Sequence, residues 1–246
     1  MLFTGRRLPD FTVSHDSSPS GTLLAGFSEF GLAGLTAVDF LVDHLDLEQT
    51  GHIAAEGLPS ITPFVEGRPR HHTRLYSRED LDVTVLVGEL YVPPAVAETF
   101  SDAVLDWTEG NGVREVAVLC GVPVPHGPEG HRTFYVASDD YRERRLDDAD
   151  VPPMGNGFLN GTRAALMERG LTSPLGVCVY LTPVHGQAPD VEAAIRLVET
   201  VERVYGLGVD PEPLEAFAEQ VGQYYAELAD QMEQREPEGF EDRMYM

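Results

Sequence analysis

Short apolar runs bounded by turn residues recur along this chain, alternating with stretches whose apolar positions fall every three or four residues. Four runs read as strands: residues 22–27 (TLLAGF), 81–90 (LDVTVLVGEL), 113–122 (VREVAVLCGV) and 173–183 (SPLGVCVYLTP). They are apolar or β-branched nearly throughout, the pattern of strands covered on both faces. Between them lie helical stripes. Leu32, Leu35, Val38, Val42 and Leu45 make one, and Val96, Phe100, Val104 and Trp107 another. A third helix is predicted over NGTRAALMERG, with Gly170 as the glycine just past its end. This alternation predicts an α/β fold, a mostly parallel sheet flanked by helices on both faces. Residues 50–77 and 128–145 interrupt the pattern and read as β-hairpins or loops, VEGRPRHHTRLY being the clearest turn and return.

The last third reads as helical. Val191, Ala194, Ile195, Val198, Val201 and Tyr205 share one face. GLGVDPEP then supplies an Asp cap and an early Pro for a further helix. Its apolar residues, Leu214, Phe217, Val221, Tyr224, Leu228 and Met232, form a narrow seam suited to packing on another helix of this domain or of a neighbouring subunit. From Arg235 the pattern stops, and REPEGFED has the composition of a flexible linker. The expected organisation is one α/β domain over 1–234, including the C-terminal helices, and a flexible tail over 235–246.

Charge narrows the partners. Of 246 residues, 41 are acidic and 17 basic, a formal net charge of −24. Nucleic acid and anionic membranes would be repelled at long range. Every basic residue is arginine, and lysine is absent. Dispersed carboxylates without lysine point to a protein of a salty cytoplasm, where such a surface stays hydrated and its self-repulsion is screened. Without lysine, neither a P-loop nor Schiff-base chemistry is available. No apolar run is long enough to span a bilayer and no leader opens the sequence, so a cytoplasmic location is expected. Cys120 and Cys178 sit in apolar runs and read as buried free thiols.

Candidate chemistry is sparse. The first strand runs into GFSEFGLAGLTAV, where a glycine-rich turn could present N–H groups to an anion. Its spacing, Gly26, Gly31 and Gly34, is not that of a dinucleotide site. Phe30 stands where a nucleophile elbow around Ser28 needs its second glycine. The alternative role for Gly31 and Gly34 is to let a helix start close against the sheet or against another subunit. His71, His72, His126 and His131 lie in loops without metal-ligand spacing, so no metal is expected. His185 follows a strand, where α/β ligand sites collect. Gly26, Gly31 and His185 are therefore the candidate pocket; no catalytic set and no cofactor emerges.

The final residues, GFEDRMYM, place an apolar residue, a tyrosine and one more residue after an acidic tether. Such an end offers a pocket-filling side chain, an aromatic with a hydroxyl, and a carboxylate able to pair with a cation. The body resembles the archaeal proteasome assembly chaperone family. The stretches carrying the likeness are GFSEFGLAGLTAVDFLVDHL, EQTGHIAAEGLPS, GELYVPP, DWTEGNGVREVAVLCGVPVP, GNGFLNGTRAALMERG and LTPVHGQAPDVEAAIRLVETVERVYGLGVD. The resemblance implies an α/β sheet domain related in shape to phosphorylases, homo-oligomerisation and no established enzyme activity. It also implies a C-terminal hydrophobic-Tyr-any motif docking between α-subunits of the proteasome core particle, which falls here on Met244, Tyr245 and Met246. The expected function is thus that of an ATP-independent proteasome assembly chaperone or activator. A small-molecule hydrolase or phosphorylase-like enzyme with its pocket at the strand ends is the alternative.

Overall fold

The computed structural model describes residues 9–17, 19–125, 127, 130–185 and 189–218. The four apolar runs form its centre: β2 (Thr22–Phe27), β7 (Thr84–Gly88), β8 (Glu115–Val122) and β10 (Gly176–Pro183). They pair in parallel in the order β7-β2-β8-β10, and β2, β7 and β10 are buried at every position. Burial on both faces is why these runs carry no polar alternation.

Antiparallel strands widen this centre. β6 (Thr73–Ser77), β3 (Glu48–Glu56) and β1 (Asp10–His15) extend one side, and β9 (Phe134–Ala137) the other, in the order β1-β3-β6-β7-β2-β8-β10-β9. β4 (Phe64–Val65) and β5 (Arg68–Pro69) pair with each other in a separate hairpin. It lies inside the segment expected to turn and return.

Alternate residues of the strands point to opposite faces. Leu24, Ala117 and Tyr180 meet α1 (Ala33–His44), α3 (Asp139–Arg145) and α5 (Val191–Tyr205). Leu23, Ala25, Val116 and Val179 meet α2 (Ala97–Gly110) and α4 (Gly161–Thr172). On the second face Phe100 stands edge-on to Phe11 and Phe27, with ring centroids 5.2 and 5.7 Å away. Truncating a buried phenylalanine so placed costs about 3–5 kcal/mol. Both cysteines are buried free thiols, as the sequence predicts.

Several expectations are corrected. Residues 128–145 contain α3 as well as β9, because DDYRERR buries only Tyr141 and so shows no apolar stripe. α4 runs past Gly170 to Thr172. A side chain at Gly170 would meet Val177 Cβ at 2.9 Å, so that glycine permits close packing rather than ending the helix. Leu32 precedes α1, in a left-handed conformation. β1 went unrecognised because its burial alternates and its outward residues are polar. Asp210 does cap: its side chain accepts the Glu212 N–H at 3.0 Å, and residues 212–218 are helical. The rest of the seam from Val221, and the tail, lie outside the described residues.

Candidate functional site

The carboxyl ends of β2, β7, β8 and β10 are where the sequence places a pocket. The chain leaves β2 through a 3-10 turn, Phe30–Leu32, in which Gly31 (φ 66°) and Leu32 (φ 51°) are both left-handed. For leucine this conformation costs roughly 1–2 kcal/mol. Two hydrogen bonds hold the turn: Leu32 N–H to Glu29 O at 3.0 Å, and Asp190 N–H to Gly31 O at 2.8 Å. A side chain at Gly31 would press on Val184 Cβ at 2.9 Å. One at Gly34 would overlap the Leu119 carbonyl oxygen, and one at Gly26 the Gly34 carbonyl oxygen. These glycines let α1 lie directly on the backbones of β2 and β8. Here they serve close approach.

His185 is exposed, and its Nδ1 lies 3.0 Å from Asp190 Oδ2. The same oxygen accepts the His185 backbone N–H at 2.8 Å, while Asp190 Oδ1 caps α5 through Ala193 N–H at 2.9 Å. Burial raises the Asp190 pKa, but these hydrogen bonds outweigh it and hold the carboxyl below its usual range. Asp190 is thus a clamp joining the turn after β2, the end of β10 and the start of α5. The His131 ring stands edge-on to His185 at 5.6 Å. His126 lies outside the described residues, and among these no group of three or more potential ligands could hold a metal. His72 Nδ1 lies 2.9 Å from Thr73 Oγ1, and the His71 ring stacks on His52 at 3.7 Å.

A second polar cluster escaped the sequence. Arg163, buried on α4, approaches Glu29 Oε2 at 3.5 Å, Cys120 Sγ at 3.4 Å and Asn160 Oδ1 at 2.7 Å. Burial raises the pKa of Glu29, with Arg163 opposing. Burial likewise pushes the Cys120 thiol up to about 11, so it stays protonated at neutral pH. The adjoining cavity, lined by Phe27, Ser28, Glu29, Leu90, Tyr91, Val92 and Thr162, has a volume of about 20 Å³. That is room for one water molecule.

The surface around these strand ends is apolar. Phe30, Tyr91 and Phe158 are exposed, and Val124 is partly so. A groove of about 590 Å³ runs along β9 and the 153–159 loop, lined by Val122, Tyr135, Met154, Phe158 and Leu181, with Arg142 as its cation. A larger cavity, about 1130 Å³, lies away from this end, against Ser20, Leu81 and Asp82 before β2 and β7. It is lined by Asp16, Glu48, Glu79 and Asp80 as well, a solvated acidic cleft in keeping with the charge of the chain.

The sequence matches the model of the PAC2 family over residues 23–229. The chain belongs to the PAC2 family. The match takes in the glycine turn, the strand ends and α5. No curated protein matches the sequence. Among solved structures, the chain resembles Pyrococcus furiosus PbaA in its monoclinic form, an archaeal homolog of proteasome-assembly chaperone. The TM-score is 0.83 at 21% identity, covering 92% of this chain and 94% of that one. Pyrococcus furiosus PbaB, an archaeal proteasome activator, superimposes with a TM-score of 0.74 at 18% identity, covering 89% and 99%. A protein of unknown function from Thermoplasma acidophilum gives 0.71 at 23%, covering 90% and 91%. At these identities the likeness is one of fold and bears out the α/β architecture; the family resemblance read from the sequence is borne out by the PAC2 match.

Within this PAC2 fold, Gly26, Gly31 and the loop carrying His185 lie together at the strand ends. Met244, Tyr245 and Met246 lie outside the described residues. Glu29 and Arg163 had no local signal, because neither belongs to a motif and only the fold joins them. Among the described residues no helix is long and apolar enough to cross a membrane.

Proposed function

We propose that this protein is a homo-oligomeric, ATP-independent assembly chaperone or activator of the proteasome, acting by binding rather than catalysis. PAC2 membership carries this reading, joined to a fold shared with a proteasome-assembly chaperone homolog and a proteasome activator. In it, the body over 1–234 spaces several tails, and residues 235–246 reach pockets between α-subunits of the core particle. Met244 fills the apolar part of the pocket, Tyr245 adds aromatic area and a hydrogen bond, and Met246 presents its α-carboxylate to a cation. One tail pays an ordering cost and binds weakly; several on one oligomer bind through avidity. The same contact can assist ring assembly or favour an open gate.

Glu29 and the His185–Asp190 pair, at the strand ends, favour the hydrolase or phosphorylase-like alternative. The cavity beside Glu29 weighs against it, since a substrate pocket is normally 300–1,000 Å³, and the roomier groove along β9 is lined by none of Glu29, His185 and Asp190. Asp190 is also already engaged by two backbone N–H groups.

The test is a pull-down of the cognate core particle in high salt by the full chain and by a form ending at Arg243. Capture by the full chain and its loss on truncation is the expected result. Equal capture would move the interface to the body, and no capture by either would overturn the proteasome reading.

A further inference from the structure

The segment GRPRHHTR, residues 67–74, gathers three arginines and two histidines in a chain that is strongly acidic elsewhere. It leads from the β4–β5 hairpin into β6, beside the end of β7, where the Glu89 N–H donates to the His72 carbonyl at 2.8 Å. Arg74 is fully buried. Its Nε donates to the Tyr76 hydroxyl at 2.7 Å, and its Nη1 to Glu89 Oε2 at 2.8 Å and to the His71 carbonyl at 2.5 Å. Arg70 Nη2 donates to the other Glu89 oxygen at 2.6 Å. One carboxylate thus serves two guanidiniums, which leaves one positive charge in excess. Arg70 Nε and Arg74 Nη2 are buried and have no hydrogen-bond partner among the described residues. Asp39, on α1, offsets the excess only where it is ionised, and burial delays that to about pH 6.

A pocket of about 330 Å³ opens on this pair, lined by Ile61, Thr62, Pro69, Arg70, His71 and His72. No acidic side chain lines it. Arg70, one-third exposed, is its cation, and Arg74 stands behind the wall, bonded to the His71 carbonyl. The His71 ring is held by stacking on His52. A guanidinium with donors to spare takes an anionic oxygen in charge-assisted hydrogen bonds. The net charge of the chain does not forbid this, because in molar salt the Debye length is about 3 Å and only neighbouring groups are felt. The space exceeds that of the anion alone and falls among small-ligand sites, so the ligand carries an apolar part as well.

We infer that this pocket binds an oxyanion, the phosphate or carboxylate of a ligand whose apolar part lies against Ile61 and Pro69. Arg70 receives the anion, with Thr62 and His71 beside it and the buried Arg74 adding its charge from behind. Glu89 holds the two guanidiniums in place without neutralising both. The site belongs to the folded body and does not rest on the proteasome reading.

Equilibrium dialysis of the full chain against labelled inorganic phosphate tests this, in molar potassium chloride at about pH 5.5, where Asp39 is mostly protonated. One phosphate per chain is expected. Arg70→Gln should bind it roughly tenfold more weakly, the loss of one charge-assisted contact. Arg68→Gln should bind as wild type does, since Arg68 is exposed on β5 outside the pocket. Ile61→Glu puts a carboxylate into the pocket without touching the Arg70–Glu89 pair. It should abolish binding with unchanged melting, and it decides the matter if Arg70→Gln does not fold. Acetate that displaces phosphate at similar concentration would mark a carboxylate ligand, and phosphate held against acetate a phosphorylated one. No phosphate retained by wild type, equal weakening by both arginine variants, or binding that survives Ile61→Glu would each overturn the inference.

Discussion

Asp39 lies on α1, and its carboxyl is pushed up to about 6 from an ordinary 3.8. Burial is the main cause; Arg74 opposes it, and Glu89 adds to it. The folded protein therefore binds a proton on Asp39 more tightly than the unfolded chain does. Its contribution to stability is complete below pH 3.8 and is lost as pH rises through about 6, leaving a costly buried carboxylate. The displacement corresponds to roughly 3 kcal/mol at 1.36 kcal/mol per pH unit. Asn keeps the shape and removes the charge. We expect Asp39→Asn to raise the unfolding free energy by about 1–3 kcal/mol at pH 7.5, with the gain shrinking to nothing below pH 4. Urea denaturation of both proteins at one-unit steps from pH 4 to 8, at fixed salt, would measure it. A difference independent of pH, or a loss of stability at pH 7.5, would refute the reasoning, the latter by showing that attraction to Arg74 exceeds the cost of burial.

Two further outcomes follow from the packing. Arg74 is fully buried and paired with Glu89 at 2.8 Å, while Arg70 reaches the same carboxylate at 2.6 Å. Burial raises the Glu89 pKa, but Arg74 and Arg70 outweigh it and hold it below its usual range. Its contribution is thus present above pH 4.5 and lost as pH falls through the folded value. Glu89→Gln should cost about 3 kcal/mol at pH 7, the effect of stranding a buried guanidinium, and much less in acid; an equal cost at both pH values in chemical denaturation would contradict this. Gly34→Ala should destabilise by about 3 kcal/mol or more, since the added carbon overlaps the Leu119 carbonyl oxygen and no rotamer relieves it. An unchanged denaturation midpoint would mean that α1 does not lie directly on β8.

The apolar runs of β2, β7, β8 and β10 were legible because a strand buried on both faces needs no other element to declare it. The stripes of α1, α2 and α5 were legible for the same reason, since their 3.6-residue period is a local property of the chain. The glycine turn and the stretches carrying the family resemblance could likewise be read directly. The antiparallel strands that widen the sheet were less legible. β1 alternates over only two apolar residues, Phe11 and Val13, and β9 is four half-buried residues, so neither separates from a loop until its partner is known. α3 hides its helix because a single residue, Tyr141, is buried. The Glu29–Arg163 and Arg74–Glu89 pairs depend on which strand end meets which helix, and no periodicity carries that information. The sequence by itself determined which residues leave water, and hence the α/β class, because hydrophobic periodicity is local. Only the tertiary structure decided which distant residues meet, and so which carboxyls lose their water, where α1 touches the sheet, and which arginines come to share one carboxylate.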